Sequence, residues 1–143
     1  MIIKAAIIGA SPAIQEALSG EKFAARVLSA VVGQALGVEN VLDRPAEYYV
    51  QHADTAPSPK HGSWGVEVRL SGASRQGRTA KQFHTALEVL HTIVKDVVSK
   101  AMYGTQRCQV FCVIMIDGDV ETAPGSGIYS NNLESRAEWV EPQ

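Results

Sequence analysis

The 143-residue sequence lacks three features that would point directly to a partner or a compartment. No apolar run approaches the roughly 18 residues that cross a bilayer, so no membrane partner is expected. A formal net charge of −2 gives no electrostatic reason to expect nucleic acid or an anionic surface as partner. The apolar stretch at the N-terminus is shorter than the about 7–15 residues of a secretory signal. We therefore expect a cytoplasmic protein.

Cysteine is also scarce, with only Cys108 and Cys112, both in one apolar run. If that run is a strand, a four-residue spacing separates the two residues by roughly 13 Å, which is too far for a disulfide. Both are expected to be small buried hydrophobic side chains. No cofactor and no metal site are predicted, since the sequence has no zinc-type pair, Walker loop, dinucleotide fingerprint or nucleophile elbow.

The most informative feature present is an internal repeat between residues 5–37 and 68–104. Each copy begins with an apolar strand that ends in Gly-Ala-Ser, at 9–11 and at 72–74. Each copy continues into a long amphipathic helix that stops at a glycine, and a second apolar strand follows. Such self-similarity is typical of one supersecondary unit that has been duplicated.

The repeat predicts an α/β fold of one domain, in which duplicated β-α-β units form a four-stranded sheet with two helices on one face. The units span about 1–54 and 65–117, and the linker 54–65 and the C-terminal tail 118–143 complete the chain. Predicted strands cover 2–8, 46–53, 66–70 and 109–116. The first and last are apolar on both faces, which favours parallel pairing.

Local signals place the helix ends. Ser11 is a candidate N-cap with Pro12 at the first helical position, and the Ser-Gly pair at 19–20 is a candidate break in this first helix. Thr79 is a candidate N-cap of the second helix, with Gln82 at the reciprocal position of a capping box.

Histidine is the first candidate for chemistry, at positions 52, 61, 84 and 91. His84 and His91 share the second helix but lie seven residues, about 10.5 Å, apart along its axis. That distance is too great for both to ligate one metal ion. We interpret them as residues at the edge of the buried face, while His52 and His61 flank the linker.

Two arginines are the second candidate. Arg75 and Arg78 lie in the loop before the second helix, beside the free N–H groups of its N-terminus. Because a guanidinium group binds a carboxylate through two parallel hydrogen bonds, this loop is a candidate site for a carboxylate substrate. The alternative is a solvated loop with two surface charges.

The segment Gly-Arg-Thr-Ala-Lys-Gln-Phe at 77–83 follows a strand and opens an amphipathic helix, and with the duplication it resembles the tautomerase superfamily in its fused two-unit form. The resemblance implies an isomerase in which an N-terminal proline amine acts as general acid or base. It also implies that arginines bind the substrate carboxylate and that the subunits form trimers. On this resemblance Arg78 matches the arginine of the turn, with Arg75 beside it.

The chain departs from that family at its start, which reads Met1-Ile2-Ile3 with no proline at position 2. Because Ile2 is bulky, Met1 is expected to be retained. Its α-amine, with an ordinary pKa near 8, is then a weaker base or an imine-forming group. The first copy also has Ala-Ser-Pro at 10–12 where the family has Gly-Arg.

Three functional hypotheses follow. The first is a tautomerase-superfamily protein with weak or altered activity on a small carboxylated carbonyl or enol compound, with Met1 and Arg78 as catalytic groups and Arg75 and Arg78 as binding groups. The second is a non-catalytic module for small-anion binding or assembly. The third is a ferredoxin-like α/β domain of another family, which strand direction distinguishes because its sheet is antiparallel. We expect a homo-oligomer, which the family resemblance implies is a trimer, with the tail and Trp139 docked on the next subunit.

Overall fold

The computed structural model describes residues 2–37, 48–53, 63–70, 79–115 and 132–143. The strands within these ranges are β1 (Ile2–Ile8), β2 (Tyr48–Ala53), β3 (Ser63–Leu70), β4 (Cys108–Met115), β5 (Asn132–Glu134) and β6 (Glu138–Val140). These six form one sheet in the order β2-β3-β1-β4-β5, and β6 also pairs with β4.

Every pairing in this sheet is antiparallel, so the predicted parallel pairing is wrong. Strands β1 and β2 of the first unit run in the same direction, but β3 lies between them. Strand β1 in turn separates β3 from β4. Each β-α-β unit is therefore split, because the first strand of each unit lies between the two strands of the other.

The apolar character of β1 and β4 has a different cause from the predicted one. Ala6 of β1 and Phe111 and Val113 of β4 are buried on the face opposite Ile3 and Ile7. These are the central strands of the sheet, and side chains on both of their faces are shielded from water. Burial on two faces is therefore compatible with antiparallel pairing and does not indicate parallel direction.

The first helical segment is divided into three parts: α1 (Pro12–Ser19), α2 (Glu21–Val27) and a π-helical stretch (Leu28–Ala35). The predicted cap is confirmed, because Ser11 Oγ accepts the Ile14 N–H at 3.3 Å. The predicted break at Gly20 separates α1 from α2. The segment stops before Gly37, whose φ of +69° suits glycine.

The second helix, α3 (Ala80–Ala101), begins with the predicted capping box. Thr79 Oγ1 accepts the Gln82 N–H at 3.3 Å, and Gln82 Oε1 accepts the Thr79 N–H at 2.8 Å. An ion pair of 2.7 Å between Arg26 and Asp96 joins α2 to α3.

All the helices pack on one face of the sheet, around a core that combines both units. Fully buried side chains from α1, α2, α3, β1 and β4 meet there: Leu18, Val27, Phe83, Leu90, Ile7 and Ile114. Cys108 and Cys112 are both free and buried, as predicted. Within the described ranges, no helix combines the length and the apolar character needed to cross a membrane.

The described end of the tail pairs with β4 of its own chain, and the docking of Trp139 on the next subunit stays a prediction. Strands β5 and β6 both add to the outer edge of β4. Trp139 remains 55% exposed, with the Arg107 guanidinium 4.6 Å from the centre of its ring. The remainder of the predicted tail lies outside the described residues.

Candidate functional site

The break between β5 and β6 is a β-bulge. Glu134 is opposite Val113 and Glu138 is opposite Val110, so three tail residues face two residues of β4. An extra residue of this kind bends the strand and changes the direction of a side chain. Such bulges are common beside functional sites.

Ser135 is the first residue of this bulge, and it bonds twice to Cys112 of β4. Its backbone N–H donates to the Cys112 carbonyl at 2.9 Å. Its hydroxyl accepts the Cys112 N–H at 2.8 Å, a role that a backbone carbonyl has in a regular ladder. The bulge thus gives Ser135 Oγ a fixed position on the side of the sheet where α3 lies.

His91, from the middle of α3, meets Ser135 there. Its Nδ1 is 3.1 Å from Ser135 Oγ, and its Nε2 is 2.7 Å from Oε2 of Glu138. The side chain is only 14% exposed. Both ring nitrogens therefore have partners, one on each side of the bulge.

The charge of Glu138 determines how this ring is protonated. Hydrogen bonds from Lys95, at 3.0 Å, and then from His91 lower the pKa of the Glu138 carboxyl, and its slight burial opposes them. An ionised carboxylate only accepts hydrogen bonds, so the neutral ring carries its proton on Nε2. His91 Nδ1 is then an acceptor for the Ser135 hydroxyl, which gives the order carboxylate, imidazole, hydroxyl.

These groups border an open groove of about 460 Å³ between α3 and the tail, which we call the histidine groove. Its volume falls in the range of small-molecule sites, roughly 300–1,000 Å³. Its lining combines one apolar wall with polar and charged groups: His84, Leu87, Glu88, His91, Thr92, Ser135, Arg136 and Glu138.

Arg136 is the permanent cation among the residues that line this groove. It is exposed, and among the described residues its guanidinium has no ion-pair or hydrogen-bond partner. By contrast, Glu138 is already bound by Lys95 and His91. One groove is therefore lined both by an arginine that has no ion-pair partner among the described residues and by the oriented imidazole of His91.

A second cavity, of about 550 Å³, lies at the other end of α3 between residues 102–107 and 141–143. Its charged groups, Arg107 and Glu141, are 3.8 Å apart and so face each other. It has no histidine and no oriented hydroxyl network among the described residues, so the histidine groove is the stronger candidate.

The predicted site residues divide into two groups. Met1, Arg75 and Arg78 lie outside the described residues, as does His61. His84 and His91 were interpreted as residues at the edge of the buried face, and both line the histidine groove. No group of three or more His, Cys, Asp or Glu in the described ranges is arranged to hold a metal ion.

Ser135, Glu138 and Lys95 were missed by sequence reasoning. One signal was available on α3. His84 and His91 are seven residues apart and Lys95 follows four residues later, so the three side chains share one helix face. The tail offered no comparable signal, because its polar residues show no regular period.

No family model, no curated protein and no solved structure matched this chain in our comparisons.

Proposed function

We propose that this chain is a ferredoxin-like α/β domain that binds a small carboxylated carbonyl compound in the histidine groove. The observation that carries the proposal is that Arg136, whose guanidinium is unpaired among the described residues, lines the same groove as His91, whose ring has a hydrogen-bond partner on each nitrogen. The proposal combines the binding hypothesis with the ferredoxin-like alternative from the sequence.

Strand direction supports the ferredoxin-like part. Two split β-α-β units with a fully antiparallel sheet, in which β1 and β3 are adjacent, are the arrangement expected for that fold. Within each β-α-β unit of this chain, the two strands are not neighbours.

Charge supports a carboxylate as ligand. A guanidinium binds a carboxylate through two parallel hydrogen bonds, and Arg136 has no such partner among the described residues. Leu87 supplies an apolar wall against which a short carbon chain can pack. Glu88 and Glu138 on the same groove would repel a second carboxylate, so a monocarboxylate fits best.

The hydrogen bonds of His91 support binding of a carboxylate without proton transfer between that ligand and the ring. A general base needs one nitrogen within reach of the ligand proton. In this groove Nδ1 faces Ser135 and Nε2 faces Glu138. As long as Ser135 keeps its hydroxyl group, the ring therefore orients neighbouring groups and does not itself present a free lone pair to a bound carboxylate.

The second candidate is tautomerase chemistry through the Met1 amine and Arg78. It is favoured by the duplicated β-α-β order, which the element order of the chain retains. Enolisation of phenylpyruvate and ketonisation of 2-hydroxymuconate test it directly. Unchanged background rates, the same in wild type and Arg78→Ala, would exclude it.

Thermal unfolding with added pyruvate and phenylpyruvate tests the binding proposal. A ligand at 100 times its Kd raises the free energy of unfolding by about 2.7 kcal/mol, which corresponds to about 5–10 °C in Tm for a domain of this size. Arg136→Gln should weaken the apparent affinity about 10- to 100-fold, through loss of charged hydrogen bonds.

Lys22→Gln is the matched control, because it removes one positive charge from α2, which does not line the groove. It should leave the ligand-induced shift unchanged. If Arg136→Gln keeps the full shift, or if no monocarboxylate shifts the Tm of the wild type, the binding proposal is wrong.

A further inference from the structure

We infer that Ser135 is a nucleophile activated by His91 and Glu138, and that the histidine groove hydrolyses small carboxylic esters. This inference rests on the proposed function, since the acyl part of such an ester would occupy the groove that binds the carboxylate. It adds an activity and a covalent step to a site proposed so far only to bind.

The first support is the order of the three groups. Glu138 Oε2, His91 and Ser135 Oγ form a continuous chain with separations of 2.7 and 3.1 Å. An acid, an imidazole and a hydroxyl in this order define a nucleophilic triad by geometry and role, whatever their order in the sequence. In the well-known triad the acid bonds Nδ1 and the hydroxyl bonds Nε2. In this chain Glu138 bonds Nε2 and Ser135 bonds Nδ1, and each group keeps the same chemical role.

The second support is the way Lys95 holds the acid. Lys95 Nζ is 3.0 Å from Oε1 of Glu138, so the other oxygen, Oε2, is directed to His91. An ionised Glu138 keeps the proton on Nε2 and stabilises the imidazolium that forms when Nδ1 takes a second proton.

The third support is the environment of the hydroxyl. The Cys112 N–H bonds one lone pair of Ser135 Oγ at 2.8 Å, which favours negative charge on that oxygen as its proton leaves. The Ser135 hydrogen has two acceptors in reach, His91 Nδ1 at 3.1 Å and the Arg136 carbonyl at 3.2 Å. Rotation of this hydrogen toward Nδ1 is the reactive orientation, because it leaves the second lone pair of Oγ without a hydrogen bond, and Ser135 lines the groove.

The step balances without a further reactant other than water. Ser135 Oγ bonds to the ester carbonyl carbon while its proton passes to His91 Nδ1. The carbon–oxygen bond to the alcohol then breaks, and the proton moves from Nδ1 to the departing oxygen. Water attacks the acyl-enzyme, gives its proton to Nδ1 and releases the carboxylic acid, and Ser135 recovers its hydrogen.

Arg136 supplies a donor for the negative charge on the carbonyl oxygen. It directly follows Ser135, and among the described residues its backbone N–H has no hydrogen-bond acceptor. The N–H of the residue after a nucleophile is a common member of an oxyanion hole. Arg136 also lines the groove.

The test is reaction with a fluorophosphonate, followed by intact mass and peptide mapping, together with the rate of p-nitrophenyl acetate hydrolysis. The wild type should carry one phosphonyl group on Ser135. His91→Gln removes the base but leaves the Ser135–Cys112 bonds in place, and should slow both reactions at least 10-fold. Ser99→Ala, a serine change elsewhere on α3, should react as the wild type does.

Labelling of other residues only, or equal rates in wild type and His91→Gln, would overturn the inference. Ser135→Ala removes the nucleophile but also a bond to β4, so His91→Gln is the decisive variant. The two proposals fail separately. If monocarboxylates stabilise the protein but Ser135 is not labelled, only the esterase inference is wrong. If Ser135 is labelled but no monocarboxylate stabilises the protein, the binding proposal is wrong.

Discussion

The hydroxyl of Ser135 accepts the backbone N–H of Cys112 at 2.8 Å, so a side chain from the tail takes the place of a strand partner on β4. Cys112 is fully buried in the core. The same hydroxyl is 3.1 Å from His91, so it joins the sheet, the tail and α3 at one point.

Ser135→Ala should lower the stability of the fold, because it leaves the buried Cys112 N–H without its acceptor. An unsatisfied buried donor costs about 1–3 kcal/mol, which corresponds to a fall in Tm of roughly 2–12 °C for a domain of this size. Urea unfolding measures the change. Ser135→Thr retains a hydroxyl and is the control; equal stability of Ala and wild type would contradict the assigned hydrogen bond.

Glu138 should make stability depend on pH. Hydrogen bonds from Lys95 and His91 lower the pKa of its carboxyl in the folded state. Its contribution is therefore fully present above the unfolded pKa of about 4.3. The contribution falls as the pH drops below that value and is gone once the pH lies below the folded pKa.

The measurement for Glu138 is the urea midpoint of wild type and Glu138→Gln between pH 7 and pH 2. The wild type should be the more stable at pH 7, and the difference should close in acid. Asp96, whose pKa is lowered by Arg26 and Lys100, is present in both proteins and cancels in the comparison. A difference that is constant with pH would show that the ion pairs of Glu138 do not contribute.

Neither thiol should react in the native state. Cys108 and Cys112 are buried, and burial raises the pKa of both thiols, so that little thiolate forms at neutral pH. With an aromatic disulfide reagent, two thiols should react in denaturant and none rapidly in buffer. Fast reaction of one native thiol would indicate that β5 and β6 do not cover β4 as described.

Thr79→Ala should destabilise α3 by about 1 kcal/mol, since it removes one half of the capping box. Thr92→Ala is the matched control on the same helix. The Thr92 hydroxyl bonds only the Glu88 carbonyl one turn back, so its loss should change stability by less than about 0.5 kcal/mol. Equal effects of the two changes in thermal unfolding would contradict the assigned cap.

Local signals in the sequence predicted elements well, and non-local contacts were the source of the errors. The caps at Ser11 and Thr79 and the break at Gly20 depend on residues within four positions, so the sequence pattern contains them. Strand pairing depends on residues far apart in the chain. The apolar faces of β1 are compatible with either direction, and parallel pairing was the wrong choice.

The histidine groove could not be predicted for the same reason. His91 meets Ser135 and Glu138 across 44 and 47 residues, and the bulge that aims Ser135 depends on the register of two short strands against β4. The sequence identified the histidines of α3 as candidates but offered no partner for them. The predicted sites at Met1, Arg75 and Arg78 stay predictions.

Long-range ¹H–¹⁵N spectra of the histidine rings are the sharpest measurement, since both proposals depend on how His91 is hydrogen-bonded. At about pH 8 an ordinary histidine is neutral, and His91→Gln identifies the signals of His91. His91 should be a single Nε2–H tautomer, with Nδ1 unprotonated. An Nδ1–H tautomer, or a rapidly averaged mixture of both, would contradict the chain of Glu138, His91 and Ser135.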